Sequence, residues 1–87
     1  MISETTIRKV RELAIEDVLS PYVRLSRKGS TLMGLCPFHS EKTGSFAVTP
    51  SKNLFHCFSC NRGGDSITFI MEKENLSFSA AVEFIAR

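Results

Sequence analysis

Two short cysteine and histidine pairs constrain this chain more than any other feature. Cys36-Pro-Phe-His39 is followed, after 17 residues, by Cys57-Phe-Ser-Cys60. Two residues between ligands let one tight turn aim both side chains at one ion. Two such turns, joined by strand pairing, complete a tetrahedron. Soft thiolates disfavour magnesium, calcium and manganese, whereas zinc accepts three thiolates and one imidazole without redox chemistry. The spacing therefore predicts one structural Zn2+ on Cys36, His39, Cys57 and Cys60. Four protein ligands leave no open position for a substrate. A thioredoxin-like redox role for Cys57 and Cys60 requires a βαβ context, and strand, turn, Gly-Gly and helix is a different one. His56 sits beside Cys57, so on an extended strand it points to the opposite face. It reads as a surface contact or a packed strand histidine rather than a ligand.

The rest of the composition agrees with a small metal-supported fold. The chain has 87 residues and reads as a single zinc-binding domain over residues 1–87. A chain this short has a marginal core, and a metal is one way to recover the deficit. Hydrophobic content of 43% and charged content of 23% exclude wholesale disorder. The formal net charge of +2 is too weak to imply a nucleic-acid partner, so that case must rest on where the basic residues lie. No apolar run approaches the roughly 18 residues that span a membrane. The start, MISETTIRKV, lacks the pattern of a secretory signal. A cytoplasmic protein without a membrane partner is expected. Three cysteines make an incomplete disulfide framework and fit a reduced metal site better.

The expected fold class is α+β, a zinc ribbon whose small antiparallel sheet is flanked by short N-terminal and C-terminal helices. Ile7, Val10, Ala14 and Val18 recur at helical steps over residues 3–19, with Ser3 as N-cap and a break near residues 13–15. Ser20 before Pro21 ends the run. Strands are expected at residues 22–25, 31–35, 46–49 and 54–57, with turns at 27–30 and 50–53. Asp65 caps a helix over residues 66–74, Asn75 and Leu76 break it, and Ser77 caps a last helix. Arg87 ends the chain without a helix stop signal, which suggests a longer natural protein.

The motifs taken together resemble a known family. Cys36-Pro-Phe-His39-Ser-Glu-Lys-Thr-Gly-Ser-Phe46 and Phe55-His-Cys-Phe-Ser-Cys60-Asn-Arg-Gly-Gly-Asp65-Ser-Ile-Thr-Phe69 are similar to the zinc-ribbon domain of bacterial replicative DNA primases. The likeness continues through Leu76-Ser-Phe78 and more loosely covers the N-terminal helices. Gly44 stands where the family usually has proline, and Ser59 where it often has glycine; neither is a ligand. The resemblance implies a domain that contacts single-stranded template DNA and helps choose the start site. A separate catalytic domain makes the primer, with a replicative helicase as a further partner. This chain is then not an enzyme by itself. Primases of mobile elements carry similar ribbons, and docking on the polymerase domain or helicase is the alternative role.

Single-strand binding needs cations for phosphates and flat groups for bases. The candidates are Arg27 and Lys28 on the hairpin turn, Lys42 after the first ligand pair, Lys52 on the next turn, Arg62 after the last ligand, and the His56 ring. Phe46, Phe55 and Phe58 lie near the site, although Phe38, Phe46 and Phe69 are also expected to pack around the ribbon. Arg8, Lys9 and Arg11 read as a solvated helix face. Gly63 and Gly64 before a helix lack the full phosphate-loop pattern and read as letting the chain leave the metal turn with positive φ.

Overall fold

A computed structural model describes residues 3–38 and 45–87; His39 and Lys42, two of the expected site residues, lie outside them. The chain begins with α1 (Glu4–Glu12) and α2 (Ile15–Leu19). Ser3 caps α1, its hydroxyl accepting from the Thr6 amide at 3.1 Å. Leu13 and Ala14 are extended, which separates the two helices where the apolar face changes direction.

That joint is held from a distance. Asn53 Oδ1 accepts from the Ile15 amide at 2.9 Å, and its Nδ2 donates to the carbonyls of Arg11 at 3.0 Å and Leu13 at 2.9 Å. One side chain thus satisfies a donor at the start of α2 and two acceptors at the end of α1, groups a helix cannot pair internally. Asn53 also adopts φ 56°, a left-handed conformation that asparagine tolerates better than most residues.

The middle of the chain is a five-stranded antiparallel meander in the order β1-β2-β3-β4-β5: β1 (Ser26–Lys28), β2 (Thr31–Gly34), β3 (Phe46–Thr49), β4 (Leu54–Cys57) and β5 (Gly63–Gly64). Two expectations are corrected here. Residues 22–25 are not a strand. The amides of Tyr22 and Val23 both donate to the Leu19 carbonyl, at 2.9 and 3.1 Å, and prolong the end of α2. The Tyr22 ring meets Phe69 edge-on at 5.5 Å, and its hydroxyl donates to Glu74 Oε2 at 2.7 Å. Tertiary contact overrides β-propensity. The hairpin turn accordingly narrows to Gly29 and Ser30, with Gly29 at φ 65°, and Arg27 and Lys28 belong to a strand rather than a turn. β5 is the second difference, since nothing apolar in Gly63 and Gly64 announces a strand.

One face of the sheet packs against α3 (Ser66–Glu74), and α4 (Phe78–Ala86) packs on α3 and α1. Asp65 and Ser77 cap these helices as expected, accepting from the amides of Thr68 at 2.9 Å and Ala80 at 3.2 Å. Phe69, wholly buried, is the hub. Phe38, Phe46, Phe55 and Tyr22 surround it at centroid distances of 5.2 to 6.1 Å. Val10, Ile15 and Leu19 from α1 and α2, with Ala81 and Val82 from α4, close the same cluster. Among the described residues no helix is long and apolar enough to cross a membrane.

Asn53→Ala removes three hydrogen bonds and puts a residue less tolerant of positive φ at a left-handed position. It should destabilise the fold by about 2 kcal/mol and lower Tm by about 10 °C, read by thermal denaturation. Asn53→Gly keeps the backbone conformation and isolates the hydrogen-bond share.

Candidate metal centre

Three separate segments bring the cysteines together. Cys36 follows β2 and is buried, Cys57 is the last residue of β4 and fully buried, and Cys60 is half-buried on the turn beyond it. Pairing of β2 with β3 (Gly34 opposite Phe46) and of β3 with β4 (Phe46 opposite Cys57) aligns the strand ends. The three sulfurs all lie within 4.8 Å of one another, and none is in a disulfide. Two thiolates on a tetrahedral zinc, with bonds of about 2.3 Å, sit about 3.8 Å apart. Cys36 Sγ and Cys60 Sγ are 3.7 Å apart, so the thiols fit that ion.

Backbone bonds shape the second turn. The Cys57 amide donates to the Arg62 carbonyl at 2.7 Å, and the Asn61 amide donates to the Cys57 carbonyl at 2.8 Å. Asn61 takes φ 62° to close this loop. Gly64, at φ 148°, meets the expectation of positive φ on leaving the turn. Gly63 serves differently: a Cβ there would lie 3.0 Å from both the Phe55 carbonyl oxygen and His56 Nδ1.

Two side chains brace the first turn from outside. Lys73 on α3 donates to the Pro37 carbonyl at 3.1 Å. Arg62 lies over the Phe38 ring at 5.1 Å and pairs with Glu72 at 3.4 Å. Arg62, expected as a phosphate contact, is therefore already engaged between the two ligand turns.

The thiols differ in acidity. Burial pushes the Cys36 thiol up to about 12. Burial also raises the Cys57 thiol, but the backbone amides of Cys60 and Ser59 and the thiols of Cys36 and Cys60 outweigh it and bring it down to about 7.

The remaining expected contacts scatter around the sheet. His56 faces away from the cysteines, as anticipated, and is not part of their cluster. Its ring meets Phe58 at 4.7 Å, and Phe58 is 70% exposed. Phe46 and Phe55 are buried and offer no stacking surface. Arg27 and Lys28 fall on opposite faces of β1: Arg27 stands opposite core-side Leu32, whereas Lys28 lines an outer groove with Arg24 and Met33. Lys52 is exposed on the turn joining β3 and β4, at the sheet end opposite the cysteines. Sequence reasoning passed over Arg24, because residues 22–25 read as a strand rather than as an approach to one. Asn53 was hidden in a generic turn.

The CHC2 zinc finger family matches residues 2–87. DNA primases of Streptomyces coelicolor and Geobacillus stearothermophilus are 49% and 48% identical over 98% of this chain. The Mycobacterium bovis DNA primase is 52% identical over the same share. The chain spans 14% of the length of each of these relatives. The crystal structure of the Aquifex aeolicus primase, comprising zinc-binding and RNA polymerase domains, superposes with a TM-score of 0.86 at 42% identity, covering 99% of this chain and 21% of that one.

Zinc must displace protons from thiols to bind. Because the metal-free chain is unfolded, zinc meets thiols at their ordinary pKa of about 8.5, almost wholly protonated at pH 6 and partly thiolate at pH 8. Zinc affinity should therefore rise with pH, and calorimetry in buffers of different ionisation heat should find fewer protons released at pH 8 than at pH 6. Equal release at both values would contradict the assignment. Complete removal of metal by a strong chelator should abolish the folded circular dichroism spectrum.

Proposed function

The chain belongs to the CHC2 zinc finger family, the zinc-binding domain of DNA primases, and from that premise we propose that it holds single-stranded template DNA on the outer face of its sheet and helps select where priming starts. A separate catalytic domain of the full-length protein makes the primer. Zinc sits on Cys36, Cys57 and Cys60, with His39 as fourth ligand. With no coordination position left open, the ion shapes the sheet end and takes no part in chemistry. This chain alone polymerises nothing.

The separation of charge carries the reading. Among the described residues, 21–64 contain Arg24, Arg27, Lys28, Lys52 and Arg62 and no carboxylate. Glu4, Glu12, Glu16, Asp17, Asp65, Glu72, Glu74 and Glu83 all lie on or cap the helices. A modest net charge thus conceals a sheet region whose described charges are all positive. Single strands are bound by cations that track phosphates and by rings on which bases stack. Lys28 and Lys52 supply the first; His56 and exposed Phe58 supply the second. Lys42 joins them in this proposal. Arg62 contributes less, because Glu72 and Phe38 already occupy it.

A second reading has its own observation. A cavity of about 450 Å³ between α2, α3 and α4 is lined by apolar Leu13, Val18, Pro21, Ile70, Phe84 and Ile85. It supports docking of this domain on the catalytic domain or on a replicative helicase through a face remote from the template. The two roles are compatible, and both place the protein in the cytoplasm.

Fluorescence anisotropy with labelled single-stranded oligonucleotides tests the template role. Phe58→Ala should weaken binding about tenfold. Lys28→Ala and Lys52→Ala should weaken it across all sequences, each reducing the salt slope by about 0.7. Unchanged binding in all three variants would remove the outer face as the template site.

A further inference from the structure

The outer face of the sheet carries a groove in which Lys28 is the one expected contact among the described residues. Its volume is about 640 Å³, and it is lined by Arg24, Ser26, Lys28, Met33, Gly34 and Leu35. The floor is apolar: Met33 lies on β2, and Leu35, just beyond it, is 50% exposed. The walls are cationic. Arg24 and Lys28 make no ion pair or side-chain hydrogen bond among the described residues. Gly34 sets the groove's shape, because a Cβ there would come within 2.6 Å of the Arg24 carbonyl oxygen and push that segment away.

The groove opens onto a continuous row. Ser26, Met33, Ala47, His56 and Gly63 are direct cross-strand partners from β1 to β5. Ala47, with the smallest side chain bearing a Cβ, keeps the row low between Met33 and the His56–Phe58 rings. Met33 and His56 are two interstrand steps apart, about 10 Å.

We propose that the groove seats one unstacked nucleotide of the single-stranded template, its base against Met33 and Leu35 and its phosphates between Arg24 and Lys28, and that the strand then crosses over Ala47 to stack on Phe58. An apolar floor between two unpaired cations complements an anion with a flat apolar face, which is the chemistry of a nucleotide. This proposal rests on the template reading above and adds to it a second base seat and a direction of travel across the strands.

The test compares Met33→Ser/Leu35→Ser with Phe58→Ala in anisotropy titrations with a graded length series of oligonucleotides. Zinc content and circular dichroism establish that each variant is folded. The groove variant should lose about tenfold in affinity with an unchanged salt slope, as for one lost base contact. The loss should appear only with oligonucleotides long enough to reach both seats. In wild-type protein, the Met33 ε-methyl resonance should shift on oligonucleotide addition, a readout independent of the variants' folding. Wild-type affinity in the groove variant beside weakened Phe58→Ala, or a Met33 methyl that stays still while Phe58 responds, would overturn the groove and leave the template reading standing. Absence of wild-type binding at low salt would overturn both.

Discussion

Everything in this fold depends on three sulfurs meeting at the end of a sheet. Cys36, Cys57 and Cys60 come from three places, the end of β2, the end of β4 and the turn beyond it, and each alone would be an ordinary buried or half-buried thiol. The sheet brings them within a zinc ion's reach, and the ion in turn fixes strand ends that a core of this size holds weakly. Lys73 and Arg62 extend the arrangement outward, tying the first ligand turn to α3. The metal end and the Phe69 cluster are thereby one mechanical unit. A zinc of this family acts as a staple: its loss would release the second turn, the register of β4 with β5, and the seat of α3 together.

The same architecture sorts charge without large net charge. Helices collect the carboxylates, partly because Asp65 serves as a cap and Glu74 receives the Tyr22 hydroxyl. The strands, whose outer residues pair side by side across the sheet, keep a surface of cations, small residues and two rings. Both layers thus build the core, and the sheet layer also presents the cationic face. Only this division makes a chain of net charge +2 a credible partner for a polyanion.

The three cysteines of the metal centre and the caps were legible in the sequence because each depends on local chemistry. Ser3, Asp65 and Ser77 stand where a side-chain oxygen must meet a free helix amide, and Asn75 where a helix stops. The break between α1 and α2 was visible as a shift of apolar face. What escaped reading depends on distant partners. Asn53 looks like any turn residue until its amide is found against Arg11, Leu13 and Ile15. Tyr22 has the composition of a strand residue, but Phe69 and Glu74, far along the chain, decide its place. Gly63 and Gly64 pair as a strand because β4 offers them an edge, not through any propensity of their own. The narrowing of the hairpin turn to Gly29 and Ser30 also separated Arg27 from Lys28, since alternate strand residues face opposite sides.

X-ray absorption at the zinc edge of the purified domain tests the central claim most directly, since it reads the ligand shell without reference to folding or DNA. The account requires one zinc per chain with three sulfurs at about 2.3 Å and one nitrogen at about 2.0 Å, the shell of Cys36, Cys57, Cys60 and His39. A shell of two or fewer sulfurs, or one with solvent oxygen in place of nitrogen, would contradict it.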